Sequence, residues 1–149
     1  MFQLSAEHAA LVVQANTLRK QAGKSEQKSE QKRLYDEALQ GYKKVIHANK
    51  CAEAEYGLGV VHRKLGQHED AVHHFRESLF LDPAARGGAV WDNLGTSLLK
   101  LHRFELALDA YNQAVRITPE NKNYERGRKQ ALALWDSLQT VINAILTPI

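Results

Sequence analysis

The 149-residue chain has little with which to crosslink, coordinate or insert. Cysteine occurs once, at Cys51, so neither an intramolecular disulfide nor a cysteine-based metal cage can form. A lone thiol suits a reducing compartment. No run approaches the ~20 apolar residues needed to span a bilayer. The segment from Met1 to Val13 has no basic n-region, and Glu7 and His8 break its short apolar run. The expectation is no signal peptide, no membrane span and a soluble cytoplasmic protein. Neither sign of charge dominates. A formal net charge of +3 falls short of the dense basic face that nucleic acid requires, so no nucleic-acid partner is expected. What remains, 44% hydrophobic and 25% charged residues, is the composition of one ordinary globular domain spanning 1–149.

Within that domain a period appears. One copy reads Leu58-Gly59, Ala71, Phe75, Ser78, Pro83; the next reads Trp91, Leu94-Gly95, Ala107, Tyr111, Ala114, Pro119. The spacing from glycine to alanine, alanine to aromatic and aromatic to proline is the same in both. A looser copy lies upstream, with Ala38, Tyr42 and Val45 for its second half and Leu11, Ala15-Asn16 and Leu18 for its first. Between those halves sits a polar insertion, residues 23–33, reading GKSEQKSEQKR, with nothing to bury; a long loop or a solvent-projecting helix extension both fit it.

These slots resemble the tetratricopeptide repeat closely in two copies and loosely in the third. The resemblance implies an all-α, right-handed superhelical solenoid of three helix pairs plus a C-terminal capping helix. Repeat 1 would span about 8–50, repeat 2 52–83, repeat 3 88–119 and the cap about 121–146, giving seven helices and no strand. The physics of the slots agrees. Gly59 with Ala71, and Gly95 with Ala107, let paired helix axes approach closely, and Phe75 and Tyr111 fill the space toward the next unit. Pro83 and Pro119 fall in turns because proline cannot continue a helix. Gly66 suits a left-handed cap between paired helices; in the last pair His102 and Arg103 occupy that turn, a less favourable choice.

A search for chemistry finds little. The seven histidines form no HExxH, and adjacent His73 and His74 point about 100° apart on a helix, where a solvent-facing role is expected, with Glu69 and Asp70 as surface partners. Gly57-Leu58-Gly59 lacks the third glycine and preceding strand of a dinucleotide loop. Cys51 falls at a helix end and reads as a partly buried structural thiol. No catalytic residue, cofactor or metal is expected, and the chain is read as a non-enzyme.

In the family it resembles, the first helix of each pair lines a concave groove that takes partner segments. Helical spacing places Asn16, Arg19 and Lys20 there in the first pair, Glu53, Tyr56, Val60, Arg63 and Lys64 in the second, and Asp92, Thr96, Leu99 and Lys100 in the third. The basic positions recur in equivalent slots, which suits a protein or peptide partner of acidic character. Family members that clamp the C-terminal carboxylate of heat-shock chaperones use lysine, asparagine and arginine at slots held here by Val12, Asn16, Gly57, Ala89 and Asn93. Only Asn16 matches, so that clamp is not expected. The end helix carries an excess of apolar residues: Leu134, Trp135, Leu138, Val141, Ile142 and Ile145 form a stripe that Leu132 and Leu146 widen. The expected function is protein–protein interaction, as an adaptor, assembly factor or chaperone-like holder. The alternatives are a homo-oligomeric scaffold assembled through the end helix and a dedicated chaperone for secreted subunits.

Overall fold

A computed structural model describes residues 3–84 and 86–148. Among them lie seven α-helices and no strand: α1 (Ala6–Lys24), α2 (Lys28–Ala48), α3 (Ala52–Lys64), α4 (His68–Leu81), α5 (Ala89–Lys100), α6 (Phe104–Ile117) and α7 (Lys122–Leu146). This order of short-linked helices fits a helical solenoid. The chain divides into two compact units, Met1–Ala85 and Arg86–Ile149.

The first unit holds two helix pairs. α1 packs on α2 and α3 on α4, while α2 and α1 both touch α3. Ser5 opens α1 by accepting a hydrogen bond at Oγ from the backbone N–H of His8, which satisfies a donor the helix itself cannot. The polar stretch 23–33 breaks the helix only at 25–27; its flanks belong to α1 and α2, extending both beyond their buried faces. The core joins Val12, Ala15 and Ala22 of α1 to Leu34, Tyr35, Ala38, Tyr42 and Val45 of α2, and to Ala54, Leu58 and Val61 of α3.

Aromatic rings seated on glycines hold each unit together. A Cβ added at Gly57 would fall 2.2 Å from Cζ of Tyr42, and one at Gly59 would fall 2.5 Å from Cε1 of Phe75. Both rings are fully buried, each worth about 1.5–3 kcal/mol relative to exposure. Gly59 therefore seats an aromatic of its own pair, whereas Gly57 seats one from the pair before.

In the second unit α5 packs on α6, α6 on α7, and α7 returns to touch α5. Tyr111 of α6 is the keystone: a Cβ at Gly95 would stand 3.0 Å from its ring, and a Cβ at Gly127 of α7 would stand 2.3 Å away. Asn121 caps α7, its Oδ1 accepting from the N–H groups of Asn123 at 3.0 Å and Tyr124 at 3.3 Å. Buried positions on α7 are confined to Gly127 and Ala131. Beyond Ala131 the helix has half-buried and exposed positions but no fully buried one.

Candidate functional site

On the α1/α3 face of the first unit four of the predicted residues, Asn16, Arg19, Glu53 and Tyr56, form one connected network. Asn16 is central: its Nδ2 donates to Glu53 Oε1 at 3.1 Å, and its Oδ1 accepts from the Tyr42 hydroxyl at 2.6 Å. Tyr42 in turn accepts from Nε of Arg19 at 3.1 Å. The Arg19 guanidinium carbon sits 5.7 Å from the centroid of the Tyr56 ring, within cation–π range. A ring buried on Gly57 of α3 thus turns its hydroxyl to two α1 side chains, Asn16 and Arg19, and holds both in place.

Tyr56 and Val60, placed in the groove by helical spacing, are only 7% and 6% exposed. Tyr56 is covered by Arg19 on one side and meets Phe75 at 6.1 Å between ring centroids, so it supports the face more than it offers surface. Arg63 is half-buried, and its Nε has no hydrogen-bond acceptor among the described residues. Lys20 and Lys64 are exposed. Even so, desolvation holds the Lys64 ammonium below its ordinary range, with the neighbouring Arg63 charge adding to the effect. Burial pushes the Tyr35 hydroxyl above its ordinary value, against the opposing pull of Arg19 and Arg63, which places both guanidiniums within electrostatic reach of it. Four cations, Arg19, Lys20, Arg63 and Lys64, therefore accompany one network carboxylate, Glu53. Sequence spacing found the α1 and α3 members but missed Tyr42 and Tyr35, which act from α2.

The second unit groups its residues differently. Thr96 is tied to the keystone ring, its Oγ1 lying 3.0 Å from the Tyr111 hydroxyl and also 3.0 Å from the Asp92 carbonyl, to which it donates. Thr96, Leu99 and Lys100 of α5 line a cleft of about 560 Å³ with Phe104 and Tyr111 of α6 and with Gln130 and Leu134 of α7. Leu134, assigned from sequence to the end-helix stripe, thus shares one cleft with groove residues. Trp135, Leu138 and Ile142 are half-buried, whereas Val141 and Ile145 are 55% and 75% exposed.

One histidine expectation needs correction. His74 does not face solvent: its Nδ1 lies 2.7 Å from Oε2 of buried Glu55, and its ring stacks on His62 at 5.2 Å. The close α3/α4 crossing turns position 74 inward. Among the described residues no group of histidine, cysteine, aspartate or glutamate is arranged to hold a metal ion. No described helix is long and apolar enough to cross a membrane.

Two segments, 52–84 and 88–121, match family models of the tetratricopeptide repeat. The chain is a tetratricopeptide-repeat protein. Among curated proteins it is 26% identical over 94 residues to the small glutamine-rich tetratricopeptide repeat-containing protein 2 of Mycosarcoma maydis. That match covers 62% of this chain but only 26% of the relative. Among solved structures, a thermophilic tetratricopeptide-repeat protein of Thermus thermophilus superposes with a TM-score of 0.70 at 20% identity, covering 85% of this chain and 64% of the other. The second tetratricopeptide domain of human RPAP3, solved with the HSP70 peptide SGPTIEEVD, gives 0.68 at 15% identity, covering 83% and 97%. The two family matches correspond to α3–α4 and α5–α6.

Proposed function

We propose that this repeat protein is a non-enzymatic interaction module, an adaptor, assembly factor or chaperone-like holder, that takes an acidic segment of a partner protein on the α1/α3 face of its first unit. The observation carrying this reading is the fixed network Asn16–Tyr42–Arg19–Tyr56, which preorganises Arg19 on a pair of helices that also carries Lys20, Arg63 and Lys64. A preorganised face binds at lower entropic cost than loose lysines. The half-buried Arg63 and the exposed Lys64 beside it bring charge that would pair with carboxylates of an incoming segment. The RPAP3 domain was solved with a peptide containing adjacent glutamates, which supports an extended acidic segment as the ligand class. Val12 and Gly57, at slots where a carboxylate clamp needs polar donors, favour recognition of internal acidic side chains over a chain terminus. The lone buried thiol of Cys51 suits a cytoplasmic setting.

The test is fluorescence anisotropy with labelled acidic peptides and scrambled basic controls. The acidic set should bind in a salt-sensitive manner, and Arg63→Glu with Lys64→Glu should weaken binding at least about tenfold. Equal binding of both sets, or no loss in the double variant, would sink the reading.

A further inference from the structure

The extension of α7 poses a physical problem that the peptide-binding face does not address. Leu134, Leu138, Val141 and Ile145 repeat at helical spacing on the side of α7 that carries buried Ala131, so the stripe that packs on α6 runs on beyond it. α7 has 25 residues and α6 has 14, so the overhang amounts to roughly 16 Å of helix. Leu134 is 37% exposed and Leu138 half-buried, whereas Val141 and Ile145, toward the helix end, are 55% and 75% exposed. After Asp136 the chain has no charged residue at all. A solvated helix extension ordinarily carries charge on its outer faces, and charge depletion marks the core of a protein interface.

We propose that this overhang pairs with the overhang of a second copy of the chain, antiparallel about a two-fold axis beside residues 139–140. The geometry is self-complementary. With the axis there, Leu138 of one copy lies level with Val141 of the other, and Leu134 lies level with the other copy's Ile145. Leu134 also lines the cleft walled by Leu99 and Phe104. The second copy's Ile145 therefore reaches the Leu99 and Phe104 side of a mixed polar and apolar cleft of about 560 Å³, and the symmetry operation fills the reciprocal cleft at the same time. An uncharged segment pairs antiparallel with itself without like-charge repulsion. A foreign apolar helix would need to match this spacing, whereas a second copy does so by construction.

Light scattering behind a sizing column, run on the full chain over a broad concentration range, reads the proposal directly. A monomer–dimer equilibrium is expected. Val141→Asp with Ile145→Asp should abolish the dimer and leave acidic-peptide binding intact, because those side chains are exposed within one copy and belong to the second unit, whereas the α1/α3 face belongs to the first. Cysteine placement then fixes the register. Leu134→Cys with Ile145→Cys should crosslink two copies on mild oxidation, whereas Ile145→Cys alone should not, since its mate would lie about 16 Å away along the helix. A monomer at every concentration, open-ended growth, a dimer that survives the aspartates, or efficient crosslinking through Ile145→Cys alone would each overturn the pairing. The cysteine pair keeps the test decisive if the aspartate variant fails to fold.

Discussion

Two turns in this molecule share one backbone and differ in the residue that must bear it. Between α3 and α4, Gln67 N–H donates to the His62 carbonyl at 2.8 Å and Gly66 N–H to Arg63 at 3.1 Å. Between α5 and α6, Arg103 N–H donates to Leu98 at 2.9 Å and His102 N–H to Leu99 at 3.0 Å. Both are Schellman closures, in which a left-handed residue lets the chain reverse and satisfies the last carbonyls of the helix. That residue is Gly66, at φ +77°, in the first unit and His102, at φ +59°, in the second. A side chain in the left-handed region costs roughly 1–2 kcal/mol. Edge-on packing of His102 against Phe104, at 5.8 Å, offsets a part of it. The repeat tolerates a poor residue at the turn, yet at the aromatic seat it keeps glycine in both units, at Gly57 under Tyr42 and Gly127 under Tyr111. Packing is the stricter constraint because a buried ring has nowhere to move, whereas a turn is open to solvent.

Substitutions sharpen this contrast in order of size. Gly57→Ala and Gly127→Ala should each destabilise by about 2 kcal/mol in denaturant titrations. The clash with a buried ring outweighs the roughly 1 kcal/mol that alanine gains over glycine in a helix. Gly95→Ala, which meets the same Tyr111 ring at 3.0 Å rather than 2.3 Å, should be close to neutral. If Gly95→Ala costs as much as Gly127→Ala, the ring is not seated chiefly on α7. At the turns the signs should oppose: Gly66→Ala loses about 1 kcal/mol, while His102→Gly gains about 0.5–1 kcal/mol. A smaller effect tests the first unit by pH. The folded-state value of Tyr35 is raised above the ordinary 10.0, so its contribution is fully present below that pH and is lost as pH rises through the folded value. The melting temperature should fall on the alkaline side, and Tyr35→Phe should flatten part of that fall. Smallest of all, Arg63→Glu with Lys64→Glu should change stability by no more than about 0.5 kcal/mol, although it strips the proposed binding face. A marked drop would show that these side chains carry fold rather than partner.

The periodic residues were legible because their roles are local. Gly66 had to sit in a turn, Pro83 and Pro119 could not lie inside helices, and the glycine-to-aromatic spacing brings together side chains of adjacent helices. The second role of glycine was less legible. Gly59 could be assigned to its own pair, but the seat that Gly57 offers Tyr42 depends on how successive pairs stack, and helical spacing within one pair is silent about that. The signal was present nonetheless, since Gly57 and Gly127 both lie in the second turn of the helix that follows an aromatic-bearing one. Likewise His74 looked like a surface residue on its own helix and proved to face Glu55 once α3 was laid beside α4. At the α1/α3 face, Arg19 and Asn16 could be picked out by slot. That they are held in place by a tyrosine from α2 could not, because the hydroxyl arrives from 23 and 26 residues away in sequence. The cleft shared by Leu99 and Leu134 was hidden for the same reason.

The glycine seats also impose an order in time. A chain emerges from the ribosome N-terminus first, and each unit folds as its residues become available. Tyr42 leaves the tunnel before Gly57, and Tyr111 before Gly127, so each ring spends an interval as exposed apolar surface until the following helix arrives to receive it. A stall or a premature stop between ring and receiver would strand the nascent chain with an open aromatic at its growing end. Synthesis paused just after Ile117 would leave Tyr111 without α7, and that truncated species is the one most in need of a holdase.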